Sequence, residues 1–332
     1  MDLASIKPGL MTTRAAMKKL FGGGTQGGII PSDSTPNILI YVDHDSGKKY
    51  GYEDGWLEEE DERGPIFEYT GQGTRGEQTF LGLNGSRNAA VLYHADTGRS
   101  LRVFMASGKV PGSKSAAKRQ RYVGDFELDS QQPYTVREAL DEAKERRRII
   151  VFRLRPKGEF ERIAKDIITR ADTTNAERVS AAVATSRILE PRMVEPKRRR
   201  VSESRRAAQP SLIADLRQSD LREHYLDVLK KQQHEVYAYQ IKIAGTTTIL
   251  KTDLYDATEH ELYSVRGDSS REEVRTAIGQ LKDYVRHIER RNPQLVVLLP
   301  EKPQDDLLNL LHTERIDVVF PNGTGYTRFA AK

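Results

Sequence analysis

The sequence predicts two domains, an α+β β-barrel over residues 1–157 and an α/β mixed-sheet domain over 211–332, joined by a basic linker over 158–210. Three observations carry this reading. A chain of 332 residues exceeds one ordinary domain and suits two. Its first half is a series of short β-type runs bounded by turns rich in glycine, asparagine and aspartate. Its last third interleaves such runs with segments that carry leucine and isoleucine at helical spacing.

In the first domain ILIYVD (38–43), AAVLYHAD (89–96), SLRVFMASG (100–108), RYVGDFEL (121–128) and RIIVFRLRP (148–156) are predicted strands. DHDSGKK, NGSRN and ADTGR supply the turn chemistry between runs. TTRAAMKKLF (12–21) is predicted as a helix capped by Thr12 or Thr13, and VREALDEAKERRR (136–148) as a second, highly charged helix. A small barrel with flanking helices follows from this order.

The pattern weakens after 157. EFERIAKDIITRA (159–171) is a candidate short helix, and 192–210 is read as an exposed linker because proline, serine and a basic run replace periodicity. Lys197, Arg198, Arg199 and Arg200 in that run either contact DNA phosphates or form a solvated hinge. From 211 the expected order is αβββαβαβ. It comprises a helix over 211–233, strands at 235–245, 247–256 and 261–267, and a helix over 269–291. QLVVLLP, the helix QDDLLNLLHTER and the strand IDVVFP complete it.

Composition excludes several classes. Hydrophobic residues make up 37 %, too many for a disordered chain. The absence of cysteine removes disulfides, thiolate-ligated zinc and a cysteine nucleophile. No secretory pattern opens the chain and no apolar run is long enough for a bilayer, so a soluble cytoplasmic protein with no membrane partner is expected. The 53 Lys+Arg against 48 Asp+Glu are compatible with nucleic acid without demanding it. No GK[ST] motif is present to cradle a nucleotide.

The stretch 253–284 carries the most chemistry. An acidic residue ending one strand, a turn, and a strand with polar residues at i and i+2 is how metal-dependent nucleases build a site. Alternation places Leu262, Ser264 and Arg266 on one strand face and Glu261, Tyr263 and Val265 on the other. Asp253, Gly267, Arg271, Arg275, Gln280, Asp283 and Tyr284, preceded by Asp220-Leu221 and Tyr225, resemble the PD-(D/E)XK nuclease fold over about 211–332. The resemblance implies Mg²⁺-assisted phosphodiester hydrolysis, with Asp253 as metal ligand and Asp220, Ser264, Arg266 and Gln280 at the site. The departure is that Ser264-Val265-Arg266 stands where the family has Glu-x-Lys. Serine removes a ligand, and arginine stays protonated and is forked, a poor replacement for lysine beside a water. Glu261 points away unless a bulge shifts the register, which leaves Glu272 or Glu273 as migrated carboxylates. Strongly reduced or absent cleavage is therefore expected.

In the first domain, FGGG (21–24), GYEDGW (51–56), YTG (69–71), His94 and YVGDFEL (122–128) resemble the YTG-type reader domain, a relative of the SRA and PUA-like barrels of modification-dependent restriction systems. The resemblance implies that one base is extruded and read in a pocket of double-stranded DNA. Tyr52, Trp56 and Tyr69 are then stacking residues, with Asp54 as a polar contact and Thr70 and Gly71 in the YTG turn. Each aromatic could equally fill the core, and His94 reads as a satisfied structural histidine.

The expected function is a modification-dependent restriction-type protein. The alternatives are a non-catalytic modified-DNA binder, in which Arg266 contacts phosphate, and an RNA-binding PUA-like module. A homodimer is a further partner, because nucleases that cut both strands often pair.

Overall fold

The computed structural model describes residues 6–112, 117–141, 143–181, 203–288 and 292–331, with the backbone alone over 203–216. Lys197, Arg198, Arg199 and Arg200 lie outside the described residues. The chain forms two compact units, the first running through Thr169 and the second starting at Arg170. Among the described residues no helix is long and apolar enough to cross a membrane.

The first unit contains β1 (Met11–Thr13), β2 (Ile29–Pro31), β3 (Asn37–Val42), β4 (Gly55–Asp61), β5 (Gly64–Thr70), β6 (Ser100–Lys109), β7 (Lys118–Leu128), β8 (Tyr134–Leu140) and β9 (Arg146–Phe160). They form one sheet in the order β2-β3-β6-β7-β9-β5-β4, with β1 on β7 and β8 on β9. β3 and β6 are parallel. The outermost strands of this order, β2 and β4, do not pair with each other, so the expected closed barrel is corrected to an open mixed sheet. Register shifts in the β4/β5, β6/β7 and β7/β9 ladders bend the sheet. Closure would also need a consistent stagger around the whole ring.

Among the described residues the sheet is accompanied by the helices α1 (Arg14–Phe21), α2 (His44–Lys48) and α3 (Gly82–Leu92). Thr13 rather than Thr12 caps α1, its Oγ1 accepting from the Ala16 N–H at 3.2 Å. The run at 89–96 falls in and just after α3 and is not a strand. Its short apolar stretch is ambiguous by itself, and the helix is decided by burial of Gly85, Asn88, Ala89 and Leu92, spaced i, i+3, i+4, i+7.

Conversely, the charged helix expected at 136–148 is a hairpin of β8 and β9. Glu, Ala, Lys and Arg favour helix locally, but the preference is worth tenths of a kcal/mol per residue. Pairing along the full length of β8 and burial of Val136 and Arg137 outweigh it. Asp141 makes the turn, its carboxylate accepting from the N–H groups of Ala143 at 2.8 Å and Glu145 at 3.1 Å.

The expected linker 158–210 also needs correction. β9 continues to Phe160, only a 3-10 turn forms at Ala164–Asp166, and β10 (Asn175–Val179) is a strand of the second sheet. The polar sequence NAERV hides that strand, because its partner supplies the order.

The second unit adds α4 (Glu203–Lys231), β11 (Val236–Lys242), β12 (Ile249–Lys251), β13 (Leu254–Asp256), β14 (Glu261–Val265), α5 (Arg271–Tyr284), β15 (Gln294–Leu298), α6 (Asp305–Thr313), β16 (Ile316–Asn322) and β17 (Gly325–Phe329). The sheet order is β10-β11-β13-β14-β15-β16-β17, with β12 on β11. β14, β15 and β16 are parallel, joined through α5 and α6. The expected mixed sheet is thus present, with β17 as a closing strand the sequence reading lacks. Leu262, Val297 and Val318 pack with Val274 and Leu281 of α5 and Leu307 and Leu311 of α6. On the other face Tyr263, Val265 and Leu298 pack with Leu221, Tyr225 and Leu229 of α4. Each face is covered, as parallel strands require.

Candidate base-reading site and candidate nuclease-type centre

In the first unit the YTG turn ends β5, and GYED leads into β4 beside it. Asp54 and Thr70 are joined directly, the Thr70 N–H donating to the Asp54 carboxylate at 2.7 Å. Asp54 is 9 % exposed, and burial, helped by nearby Glu68, pushes its carboxyl up to about 7. The raised value means the folded state holds a proton that the unfolded chain has released. This contribution to stability is therefore fully present below about pH 4 and is lost as pH rises to about 7. Asp54→Asn keeps an acceptor without a charge. Its melting temperature relative to the natural protein is expected to climb between about pH 4 and 7, measured by thermal denaturation across that range. A flat difference would show that Asp54 titrates normally.

Tyr52 is half-buried and its hydroxyl is fixed. It donates to the Gly73 carbonyl and accepts from Arg147 Nη2 at 2.9 Å and Gln78 Nε2 at 3.2 Å. Gln78 also donates to the Gly71 carbonyl at 2.6 Å, while its Oε1 accepts from the Ile150 N–H at 2.8 Å. Asn88 pins the following segment, accepting from the Gln72 N–H at 2.7 Å and donating to the Gln72 and Thr79 carbonyls at 3.0 Å. Gly71 is tightly enclosed: a Cβ would lie 3.0 Å from both Asn88 Oδ1 and Gln78 Oε1, which would have to give way by a few tenths of an ångström. Tyr69 is 4 % exposed, and its phenol is pushed well up by burial and by the charge of Asp54.

Tyr52, Asp54, Tyr69, Thr70 and Gly71 thus lie in one neighbourhood, and Trp56 does not join them. It is fully buried, with the rings of Phe67, Phe126 and Phe160 5.3–5.6 Å away, and packs in the core of this unit. His94 is structural too: Nδ1 donates to the Arg99 carbonyl at 2.9 Å and Nε2 accepts from the Leu128 N–H at 3.3 Å. Burial lowers its pKa, which favours this neutral tautomer. The sequence reading misses Gln78, Asn88 and Arg147. Arg147 is hidden by the mistaken helix, and the other two by a segment read only as glycine-rich loop.

In the second unit the strand alternation holds, and no bulge turns Glu261 inward. Its carboxylate binds Arg328 at 2.6 Å and the Tyr263 hydroxyl at 2.5 Å. Ser264 and Arg266 face α5. The Arg266 guanidinium, in a residue 6 % exposed, donates to Ser264 Oγ at 2.7 and 3.2 Å and to Gln280 Oε1, and lies 3.6 Å from the Glu273 carboxylate. Asp253 accepts from the Val265 N–H at 2.9 Å and pairs with Arg222 of α4 at 3.4 Å. Burial, with the Asp253 charge second, pushes the Tyr284 phenol up to about 12. Of the two candidate migrated carboxylates, Glu273 is drawn in and its pKa is raised by burial, whereas Glu272 is exposed. Asp220 is exposed on α4, and Arg222, two residues on and across the helix, is the residue that reaches Asp253.

These residues do not fit Mg²⁺. A hard dication needs several anionic or neutral oxygens free to turn toward it. Here two carboxylates, Asp253 and Glu273, already face two guanidiniums, Arg222 and Arg266, so the local charge is balanced. Among the described residues no group of three or more His, Asp or Glu side chains is placed to hold a metal. The same packing argues against Arg266 as a phosphate contact, because its donors are turned inward.

The sulfur-binding and SRA domains of ScoMcrA in complex with phosphorothioated DNA are similar at 20 % identity and a TM-score of 0.34, over 46 % of this chain and 41 % of that one. The type IV phosphorothioation-dependent restriction endonuclease ScoMcrA gives 22 % and 0.33, over 47 % and 29 %. The MspJI restriction endonuclease with a 27-mer oligonucleotide gives 11 % and 0.28, over 85 % and 72 %. The chain spans less than half the length of either ScoMcrA structure. No curated protein is detectably similar in sequence. Residues 9–163 match the family described as ScoMcrA-like, SRA domain, and the first unit is accordingly an SRA domain of the ScoMcrA type.

Proposed function

We propose that this protein is a modification-dependent, restriction-type DNA-binding protein. Its SRA unit takes a modified base of double-stranded DNA into the site around Tyr52, Asp54 and Tyr69. The observation that carries this reading is the convergence of these three residues on the YTG turn, inside a segment that matches an SRA family. An extruded base needs an aromatic face and a few groups for its Watson–Crick edge. Tyr52 offers a ring held still by three hydrogen bonds, and Asp54 a carboxyl that is half protonated near neutrality. The second unit is proposed as a nuclease-type fold whose centre does not cleave as it stands, because Arg266 fills it.

Binding of the full chain to duplexes carrying 5-methylcytosine, 5-hydroxymethylcytosine, N6-methyladenine or a phosphorothioate link, beside unmodified duplex and RNA, tests the reading. At least one base-modified duplex is expected to bind about tenfold or more above the unmodified one. That is about 1.4 kcal/mol, within the worth of one well-placed contact. A 2-aminopurine beside the target should brighten as the base leaves the stack. RNA binding as tightly as any modified duplex sinks the proposal in favour of the RNA-binding alternative. Preference for the phosphorothioate alone would move recognition from the base to the backbone.

A further inference from the structure

Arg14 and Arg87 come from separate helices, yet both close on the backbone of Gly27. Arg14, the first residue of α1, donates from Nη1 to the carbonyls of Gly27 at 2.7 Å and Thr25 at 3.3 Å. Arg87 of α3 donates from Nη1 to Gln72 Oε1 at 3.2 Å. A Cβ built on Gly27 would stand only 2.4 Å from that Nη1, and the Gly27 φ of +98° is one that L side chains rarely adopt. The positive φ favours glycine here, and a side chain would also crowd the end of the Arg87 guanidinium.

The contacts of the pair differ from those of several other arginines in this unit. Arg121, Arg137 and Arg155 all meet carboxylates, whereas among the described residues Arg14 and Arg87 hydrogen-bond only neutral oxygens, and Arg14 also lies over the Tyr41 ring, 4.2 Å from its centroid. Burial holds Arg14 below the usual arginine range, and Asp43, the acid acting on it, is committed to Lys118 at 2.8 Å. Arg14 also sits at the positive end of the α1 dipole, where the first turn has no acidic residue. Burial and the helix dipole thus disfavour the Arg14 cation in the free protein, offset in part by the Tyr41 ring, and an anion beside it would relieve the remainder. Both side chains are only half-buried, so an anion can reach them.

The position is informative. Gly28, the next residue, lies so close to Tyr69 that its Cβ would be 2.5 Å from the phenol oxygen, and Arg14 and Arg87 both act on Tyr69 electrostatically. We propose that Arg14 and Arg87 form a clamp for one DNA phosphodiester, the one flanking the nucleotide turned toward Tyr69. The clamp rests on the base-reading function proposed above. Rotating a nucleotide out of the stack swings it about its own backbone and brings that phosphate to the rim of the site. Two forked guanidiniums can take a phosphate from two sides through charge-assisted hydrogen bonds.

The test is the salt dependence of binding by the full chain, on modified and unmodified duplexes, for Arg14→Gln/Arg87→Gln, Arg14→Lys/Arg87→Lys and Asp54→Asn. The glutamine pair is expected to lower the log–log salt slope by about one, the worth of one phosphate. It should weaken both duplexes by the same factor, about tenfold, and leave the modified-to-unmodified ratio unchanged. The lysine pair should keep most of the slope, which also shows that the fold tolerates the changes. A glutamine pair that keeps the natural slope, or that erases the ratio, overturns the clamp. Asp54→Asn is the control for the underlying reading: it should lose the ratio with the slope intact. If it keeps the ratio, the base-reading site is wrong even where the clamp result stands.

Discussion

Replacing Arg137 by leucine is expected to destabilise the first unit by about 3–5 kcal/mol, the cost of stranding a buried charge. Arg137 donates from both terminal nitrogens to Glu68 at 2.7 Å, and the Glu68 side chain is fully buried. Without Arg137 that carboxylate keeps, among the described residues, Arg153 at 3.4 Å. Loss of this size is a large share of the 5–15 kcal/mol that ordinary domains possess. Urea unfolding followed through Trp56, the single tryptophan and a core residue of this unit, measures it. The companion change is diagnostic. Glu68→Leu/Arg137→Leu removes both charges and should recover most of the loss, because a buried pair is nearly neutral against well-packed apolar residues. A single variant within about 1 kcal/mol of the natural protein would falsify the buried pair as described. Glu68 also opposes Gly55 across the β4/β5 ladder and precedes Tyr69, so the single variant should lose DNA binding along with stability.

The second large effect concerns the second unit. The natural protein is expected to leave modified phage DNA intact with Mg²⁺ or Mn²⁺, and to show no metal-dependent change in melting temperature. Ser264→Glu/Arg266→Lys adds a carboxylate beside Asp253 and withdraws the guanidinium from Gln280 and Glu273. The local charge moves from balanced to negative. A divalent ion should then bind, and at about ten times its dissociation constant it stabilises the fold by about 1.4 kcal/mol. The readout is a Mn²⁺-dependent rise in melting temperature for the variant alone, with DNA nicking scored in parallel. Cleavage by the natural protein would refute the filled-site reading and point to Glu273, which already lies in the cluster. A variant that still ignores Mn²⁺ would mean that Arg222 on Asp253 is enough to keep the ion out.

Much of both sites was legible because their chemistry is local. The YTG turn, the GYEDGW stretch and the strand carrying Ser264 and Arg266 place their side chains by turn type and strand alternation, which short sequence fixes. What failed was of another kind. Trp56 sits in the same motif as Tyr52 and Asp54, but whether an aromatic side chain faces a core or a site depends on the strands stacked against it. The 136–148 segment carries helix formers, and only pairing with β9 and the Glu68 carboxylate makes it a strand. β10 has no apolar alternation to announce it, and its order comes from β11.

The sequence alone therefore determined the two-part organisation, the periodicity of the second unit, the residues of the YTG turn and the Ser264-Val265-Arg266 substitution. Each is a property of neighbours within a few residues, where backbone preference and side-chain period act directly. The tertiary structure decided that the first sheet stays open, that Trp56 is core, that Arg266 turns inward on Ser264, Gln280 and Glu273, and that Arg14 and Arg87 meet at Gly27. Those outcomes join residues up to tens of positions apart. Packing and charge pairing across such distances, worth several kcal/mol where ions are buried, outweigh the tenths that local propensity contributes.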